Sequence, residues 1–242
     1  TFLDLGAYPD VVDFNGPGNI ALVRNPMLRY TLPLAPGATL ALAAENARGA
    51  QFGGSKFQTL PDFHANLTYG AKWGHVSVAG LARELRYERP AAGALPEIDD
   101  NTWSMAGSLS GKFMLGKDDV RFMLLGGNLG RYVALNFAND AVLDADGELE
   151  TIDGFAGFVA YRHVWSDRWR SNVYYSMNDY DNDEDLTGGR VNKSSESWTF
   201  NTFYTPIPKL DIGAEFRHAV RELENGDDGS LNRLQFTTKY SF

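Results

Sequence analysis

Apolar and polar residues alternate with a period of two along most of this chain, and the alternation predicts β-strands rather than helices. In residues 62–73, Phe63 and Leu67 fall on one face of such a strand, whereas His64 and Asn66 fall on the other. The C-terminal segment, 231–242, alternates in the same way. Each strand therefore has one apolar and one polar face.

Eleven strands follow from this pattern and from the Gly, Pro, Asp and Asn residues that interrupt it. They are predicted at residues 20–34, 38–46, 62–73, 75–87, 101–115, 119–131, 152–165, 169–178, 195–205, 209–222 and 231–242. Short and long connections alternate, which is typical of an all-β, transmembrane antiparallel β-barrel with short turns on one side and long loops on the other. A soluble β-sandwich is the alternative, although eleven strands in one meander are unusual for that class.

The composition favours the barrel. No stretch approaches the roughly 20 apolar residues of a transmembrane helix. The mean hydropathy is −0.31, yet 13% of the residues are aromatic, as expected where polar inner positions alternate with lipid-facing ones. Aromatic residues gather beside the short turns, where a membrane interface would lie: Trp73, Phe113, Trp165, Trp169, Tyr204, Tyr240 and Phe242. The net charge of −9 argues against a nucleic-acid partner.

The odd strand number has a consequence, because bacterial barrels contain an even number of strands. Residues 1–19 contain two prolines and three glycines and are predicted to be a loop on the long-loop side. We therefore expect the strand before this loop to be missing, together with others further upstream.

Several runs resemble the DcaP-type porins of Gram-negative bacteria. They are Thr1-Phe-Leu-Asp-Leu5, Pro9-Asp-Val-Val-Asp-Phe14, Gly16-Pro17, Arg24-Asn-Pro26, Leu28-Arg29-Tyr30-Thr31, Tyr204-Thr-Pro206-Ile-Pro208 and Asp211-Ile-Gly-Ala-Glu215 with His218. The resemblance implies a sixteen-stranded, homotrimeric barrel in the bacterial outer membrane, in contact with its lipid and lipopolysaccharide, and dicarboxylate uptake. Residues 1–242 would then be one porin domain, the C-terminal portion of the barrel, with five strands missing upstream. Residues 1–19 would be the third surface loop, which folds inward and narrows the pore.

The polar faces of the strands are rich in basic residues. The basic set consists of Arg29, Lys72, Arg83, Lys112, Arg121, Arg162, Arg170, Arg217, Arg233 and Lys239, and the acidic set of Glu45, Asp62, Asp211 and Glu215. A basic wall raises the local concentration of anions, and the arginine fork binds carboxylates bidentately. We predict that the residues of this basic set other than Lys239, together with Arg24, contact the solute, and that Arg24 and Arg29 lie nearest the constriction. Alternatively, the arginines pair with carboxylates of the wall or of the inward loop.

The negative charge lies mainly in the long loops. Two runs, 144–150 and 179–185, alternate carboxylates with other residues but lack the twelve-residue spacing of a calcium-binding EF-hand. Solvated surface loops are one interpretation, and weak divalent bridging to lipopolysaccharide is the other.

Signals of catalysis are weak. The histidines, His64, His75, His163 and His218, are scattered over four strands without the spacing of metal ligands. The sequence has no nucleophile elbow and no phosphate-binding loop. We therefore expect an outer-membrane diffusion channel for small anions, without catalytic residues, metal or cofactor. An outer-membrane enzyme or a surface adhesin that uses the barrel as a scaffold is the alternative.

Overall fold

The structure is a computed structural model that describes residues 2–17, 20, 25–46, 60–92, 97–133 and 137–241. Its strands are β1 (Met27–Ala35), β2 (Ala38–Glu45), β3 (Asp62–Ala71), β4 (Gly74–Arg89), β5 (Ile98–Leu115), β6 (Asp118–Gly127), β7 (Ala141–Leu143), β8 (Leu149–Thr151), β9 (Gly154–Ser166), β10 (Trp169–Tyr180), β11 (Asn192–Ile207), β12 (Leu210–Leu223) and β13 (Asp228–Tyr240). Two one-turn helices, α1 (Gly130–Val133) and α2 (Glu184–Thr187), and a 3-10 turn (Leu5–Ala7) complete the described elements. Among these elements, no helix is long and apolar enough to cross a membrane.

Eleven strands form one antiparallel meander, in the order β1-β2-β3-β4-β5-β6-β9-β10-β11-β12-β13. β7 and β8 form a separate hairpin within the connection between β6 and β9. The all-β prediction and the eleven-strand meander are confirmed. Each of the five short connections is a two-residue turn, and the long connections lie at the opposite ends of the strands.

Some predicted boundaries were wrong. The segment 119–131 was expected to be a single strand, but β6 ends at Gly127, whose φ of +102° suits glycine. A Cβ atom at this position would lie 2.4 Å from the carbonyl oxygen of Met105. The chain turns inward here and forms α1. The β7–β8 hairpin was missed because its strands are only three residues long.

The alternation of side chains gives the sheet two distinct faces, and we call the face that contacts residues 2–17 the inner face. Large apolar side chains on the opposite, outer face are exposed, among them the residues Phe63, Leu67, Tyr69, Ile212, Phe216, Phe236 and Tyr240. An apolar surface of this extent marks contact with a membrane or with another protein. The assignment of the apolar faces to the outside is confirmed.

Aromatic side chains line the short-turn ends of the strands on the outer face. Trp73 stacks on Phe113, with ring centroids 5.4 Å apart, and Trp169 stacks on Tyr204 at 4.5 Å. Trp165 is exposed nearby. This belt matches the predicted interfacial girdle; Phe242, the last predicted member, lies outside the described residues.

The hydrophobic core lies on the inner face. Phe2, Ala7 and Ile20 pack there with α1 and with the apolar inner residues of β4, β5, β6, β9 and β10. The inner face is therefore divided into two parts. The inner side of β4 to β9 is largely covered by this apolar core, whereas the inner side of β10 to β13 carries mainly polar side chains.

Candidate solute pathway

Residues 2–17 run along the inner face, from β4 and β5 to β12 and β13. At one end, the Asp4 carboxylate accepts a hydrogen bond from the Ser110 hydroxyl (3.1 Å) and lies 2.7 Å from Nε2 of His75. The Ser108 hydroxyl donates to the carbonyl oxygen of Phe2 at 3.1 Å. Apolar packing of Phe2 adds to these bonds, so this end of the segment is doubly anchored.

Asp10 lies in the middle of the segment and faces three arginines from three strands. Nε of Arg170 donates to its carboxylate at 2.9 Å, and guanidinium nitrogens of Arg121 and Arg162 lie 3.6 and 3.9 Å away. Arg170 also forms a bidentate pair with Asp211, at 3.1 and 3.0 Å. Bidentate pairing is the strong form of this contact, so Arg170 joins the segment to the wall.

Asp13 is the last carboxylate of the segment. It accepts hydrogen bonds from Arg217, at 3.1 Å, and from Arg233. Burial would raise the pKa of Asp13, but the hydrogen bond from Arg233, the bond from the backbone N–H of Asn15 and the positive charges of Arg233 and Arg217 outweigh it and hold the pKa below 3.8. Asp13 is therefore ionised at neutral pH.

Glu215 on β12 supports the same region. Its carboxylate accepts hydrogen bonds from the backbone N–H of Val12 at 3.0 Å and from the Asn201 amide at 3.1 Å. Its other oxygen lies 3.3 Å from the Arg217 guanidinium. The far end of the segment is thus held by polar and ionic contacts with the wall.

A buried carboxylate of the wall, Asp119 at the start of β6, contacts two of the same arginines and one lysine. Arg121 and Arg162 both contact it at 2.6 Å, and Lys112 lies 3.6 Å away. Asp119 lies two positions before Arg121 and therefore shares its face. That spacing was the sequence signal for Asp119, which our count of four inner carboxylates had omitted.

The connection between β6 and β9 also enters the inner side. Its Asp140 forms a fully buried ion pair with Arg83, and Asn128 bonds to the same guanidinium. The hydroxyl of Tyr132 on α1 donates to Asp62 at 2.6 Å. Burial raises the pKa of Tyr132 and the nearby Asp62 carboxylate raises it further, so this phenol stays protonated.

The predicted pathway residues thus fall into several groups. Arg121, Arg162, Arg170, Arg217 and Arg233 surround residues 8–13, with Lys112 beside them at Asp119. Arg29 is exposed on the inner side of β1, where its Nε donates to the Thr31 hydroxyl at 3.3 Å. Arg83 has no exposed surface, so a solute has no access to its guanidinium.

Two predicted pathway residues remain, Lys72 and Arg24. Lys72 was assigned to a strand face but lies in the exposed two-residue turn between β3 and β4. The strand alternation ends at Ala71, so it no longer determines the facing of Lys72. The prediction for Arg24 falls outside the described residues.

The acidic runs have local structural roles. The Asp144 carboxylate accepts hydrogen bonds from the N–H groups of Asp146 (2.9 Å) and Glu148 (2.8 Å), which shapes the β7–β8 turn. Asp183 caps α2 through the N–H groups of Asp185 and Leu186. In the described part of the chain, no group of three or more His, Asp or Glu residues is arranged to hold a metal ion.

The four histidines remain apart. His75 pairs with Asp4, and His163 lies 2.8 Å from Asp118 on the outer side of the sheet. His64 is buried beside Tyr132, and His218 contacts Asn232. These environments are all different, and no shared reaction centre emerges from them.

Solved structures with a similar fold include bacterial outer-membrane proteins and a bacterial porin. The crystal structure of the outer-membrane channel DcaP of Acinetobacter baumannii superposes with a TM-score of 0.86 and 22% sequence identity, over 100% of this chain and 69% of that protein. The anion-selective porin of Comamonas acidovorans gives a TM-score of 0.55 at 8% identity, over 94% of this chain and 63% of the porin. The Vibrio cholerae outer-membrane protein OmpT gives a TM-score of 0.55 at 10% identity, over 88% of this chain and 63% of OmpT.

No family model and no curated protein sequence matches the chain. The structural likeness, however, extends over the whole chain and includes the eleven-stranded meander. The chain therefore has the fold of a DcaP-type outer-membrane porin.

Proposed function

We propose that this chain forms much of a diffusion channel in the bacterial outer membrane, and that the channel passes small anions, dicarboxylates among them. The observation that carries the proposal is the convergence of five arginines from β6, β9, β10, β12 and β13 on carboxylates of residues 10–13. A solute carboxylate needs the same partners. In this proposal the chain's own carboxylates occupy positions that an anionic solute would visit.

Residues 2–17 form the constriction in this proposal. The anchored end, around Phe2 and Asp4, fixes the segment against β4 and β5. The other end presents Asp10 and Asp13 to the arginines, so it both narrows the pathway and neutralises part of the positive wall. A passing anion exchanges hydration for short-lived arginine contacts, and each contact must stay weak enough for the solute to leave.

In our proposal, the carboxylates of the inner segment weaken the anion selectivity but do not reverse it. Arg29 and Lys239 are exposed on inner-face positions of β1 and β13. Arg162, Arg170 and Arg233 keep part of their surface accessible. These groups supply a positive potential that attracts anions into the lumen. Because the chain resembles the DcaP-type porins, we also propose that the porin is a homotrimer whose outer faces contact lipid and lipopolysaccharide.

Single-channel recording of the full-length porin tests this function. We expect stable conducting steps, whereas a barrel that serves only as an enzyme or adhesin scaffold should conduct little. Replacing Arg29 and Arg162 by serine should then move the reversal potential in a salt gradient toward cations, because two fixed positive charges are removed. An unchanged reversal potential at low salt would show that carboxylates already cancel these arginines.

A further inference from the structure

A groove lies on the inner face, between the Asp13 contacts and the long-loop ends of the strands. Here β11, β12 and β13 enclose a groove of about 390 Å³. Its lining includes Arg217, Ala219, Arg221, Leu231 and Arg233. Residue alternation places all five on the inner face.

One end of the groove already holds a carboxylate. Arg217 and Arg233 are directly opposite each other on β12 and β13, a pairing of like charges that is unfavourable by itself. The carboxylate of Asp13 accepts hydrogen bonds from both guanidinium groups and offsets their repulsion. The local geometry is thus built around an anion.

The other end offers an accessible guanidinium. Arg221 lies four positions beyond Arg217 on the same strand, a distance of about 13 Å at the rise of a β-strand. Its side chain is exposed, and within the described residues it forms no hydrogen bond or ion pair. Its cross-strand neighbours are Gly229 and Ser195, neither of which carries charge.

The wall between these two ends is apolar. Ala219 and Leu231 are directly opposite each other, and both lie between Arg221 and the Arg217–Arg233 pair. Half of the Leu231 side chain is exposed although it points to the inner side. An accessible leucine in a polar lumen offers contact to a hydrocarbon group.

From this arrangement we propose that the groove binds carboxylates that carry a hydrocarbon body, with the carboxylate on Arg221 and the body over Ala219 and Leu231. This assignment rests on the proposed channel function and adds a location and a selectivity to it. A solute entering from the long-loop side meets Arg221 first. The Arg217–Asp13–Arg233 cluster comes next, where a second anionic group competes with Asp13.

The test uses hexanoate and acetate, two probes with the same charge and different hydrocarbon length. Each is added at neutral pH on the long-loop side of the full-length porin in a planar bilayer, and the concentration that halves the chloride current is measured. For the wild type, we expect hexanoate to block at lower concentration than acetate. Arg221→Gln should raise the half-blocking concentration of hexanoate about tenfold, the loss expected for one charge-assisted hydrogen bond.

Two more variants separate charge from apolar contact. Arg190→Gln removes the same charge from an exposed position in the β10–β11 connection and should leave both values unchanged. Leu231→Asn should weaken block by hexanoate but not by acetate, because only hexanoate reaches the apolar wall.

The outcomes also distinguish the groove from the channel function. If the wild type fails to conduct anions, the proposed function itself is wrong. If the wild type conducts anions but Arg221→Gln affects hexanoate no more than Arg190→Gln does, only the groove assignment is overturned. Equal effects of Leu231→Asn on both probes would refute the hydrocarbon part of the proposal.

Discussion

Arg83 on β4 and Asp140 in the β6–β9 connection form an ion pair in which neither side chain has any exposed surface. The pair fixes a surface connection to the inside of the sheet. Asn128 reinforces it, because its amide bonds to the carbonyl oxygens of Asp140 (2.6 Å) and Ile152 (2.8 Å). This buried charge pair therefore acts together with the apolar packing of α1 and the Tyr132–Asp62 hydrogen bond to hold the connection on the inner face.

Removing one partner of this pair should be strongly destabilising. Asp140→Ala leaves the Arg83 guanidinium buried without its counter-charge, for which a cost of about 3–5 kcal/mol is typical. Urea unfolding of the refolded porin measures the loss. Asp146→Ala, at an exposed position of the same connection, is the control and should change the unfolding free energy by less than about 0.5 kcal/mol. Equal effects of the two substitutions would contradict a structural role of the pair.

Asp10 should restrain anion selectivity. Asp10→Asn removes the carboxylate that Arg121, Arg162 and Arg170 share, so the wall becomes more positive. The reversal potential in a salt gradient should move toward anions. The shift should shrink at high salt, because screening shortens the reach of a fixed charge from about 10 Å at 0.1 M to about 3 Å at 1 M. Asp167→Asn in an exposed short turn is the matched control and should have little effect.

Asp13 gives the channel a defined acid response. The pKa of Asp13 is lower in the folded protein than its value of 3.8 in the unfolded chain. At pH values above 3.8 the ionised carboxylate therefore stabilises the docked segment, and this stabilisation is lost as the pH falls through the lowered pKa. Below this pH, Arg217 and Arg233 lose their shared counter-charge, and the reversal potential should move further toward anions. Asp13→Asn should lack this step. Identical pH profiles of the variant and the wild type would rule out this role.

The apolar part of the outer face around Phe216 should not tolerate a charge. Phe216→Lys places an ammonium group among exposed apolar side chains, at a cost of about 2–4 kcal/mol near the bilayer midplane. Thr237→Lys on the inner face of the neighbouring strand is the control, since it faces the polar side. Folding yield into lipid vesicles should fall for the first variant only. The opposite order would mean that the two faces have been exchanged.

The sequence predicted the strands well because their signal is local: a period of two, interrupted by turn residues. Face assignment followed from the same period, and Phe63, Phe216 and Phe236 lie outside as expected. The same rule, applied to every strand, identifies Asp119 and Arg221, which lie two and four positions from predicted inner arginines. The period of two therefore already contained the signal for both residues.

Other features depend on contacts between distant parts of the chain. The pairing of Asp13 with Arg217 and Arg233 joins residues about 200 positions apart, and no periodicity encodes it. The burial of Arg83 follows from the docking of Asp140, which the acidic sequence of that connection did not suggest. The acidic residues of the sequence therefore had two destinations, surface turns and the inner arginines, and only the fold separates them.

The reversal potential of the full-length wild-type porin in a salt gradient at low ionic strength tests the central claim most directly. An inner surface with accessible Arg29, Arg221 and Lys239 should favour anions, and the preference should weaken as salt rises. A reversal potential on the anion side at low salt is the predicted result. A value at zero, or on the cation side, would contradict the account, because the carboxylates of the inner segment would then balance or outweigh the arginines of the wall.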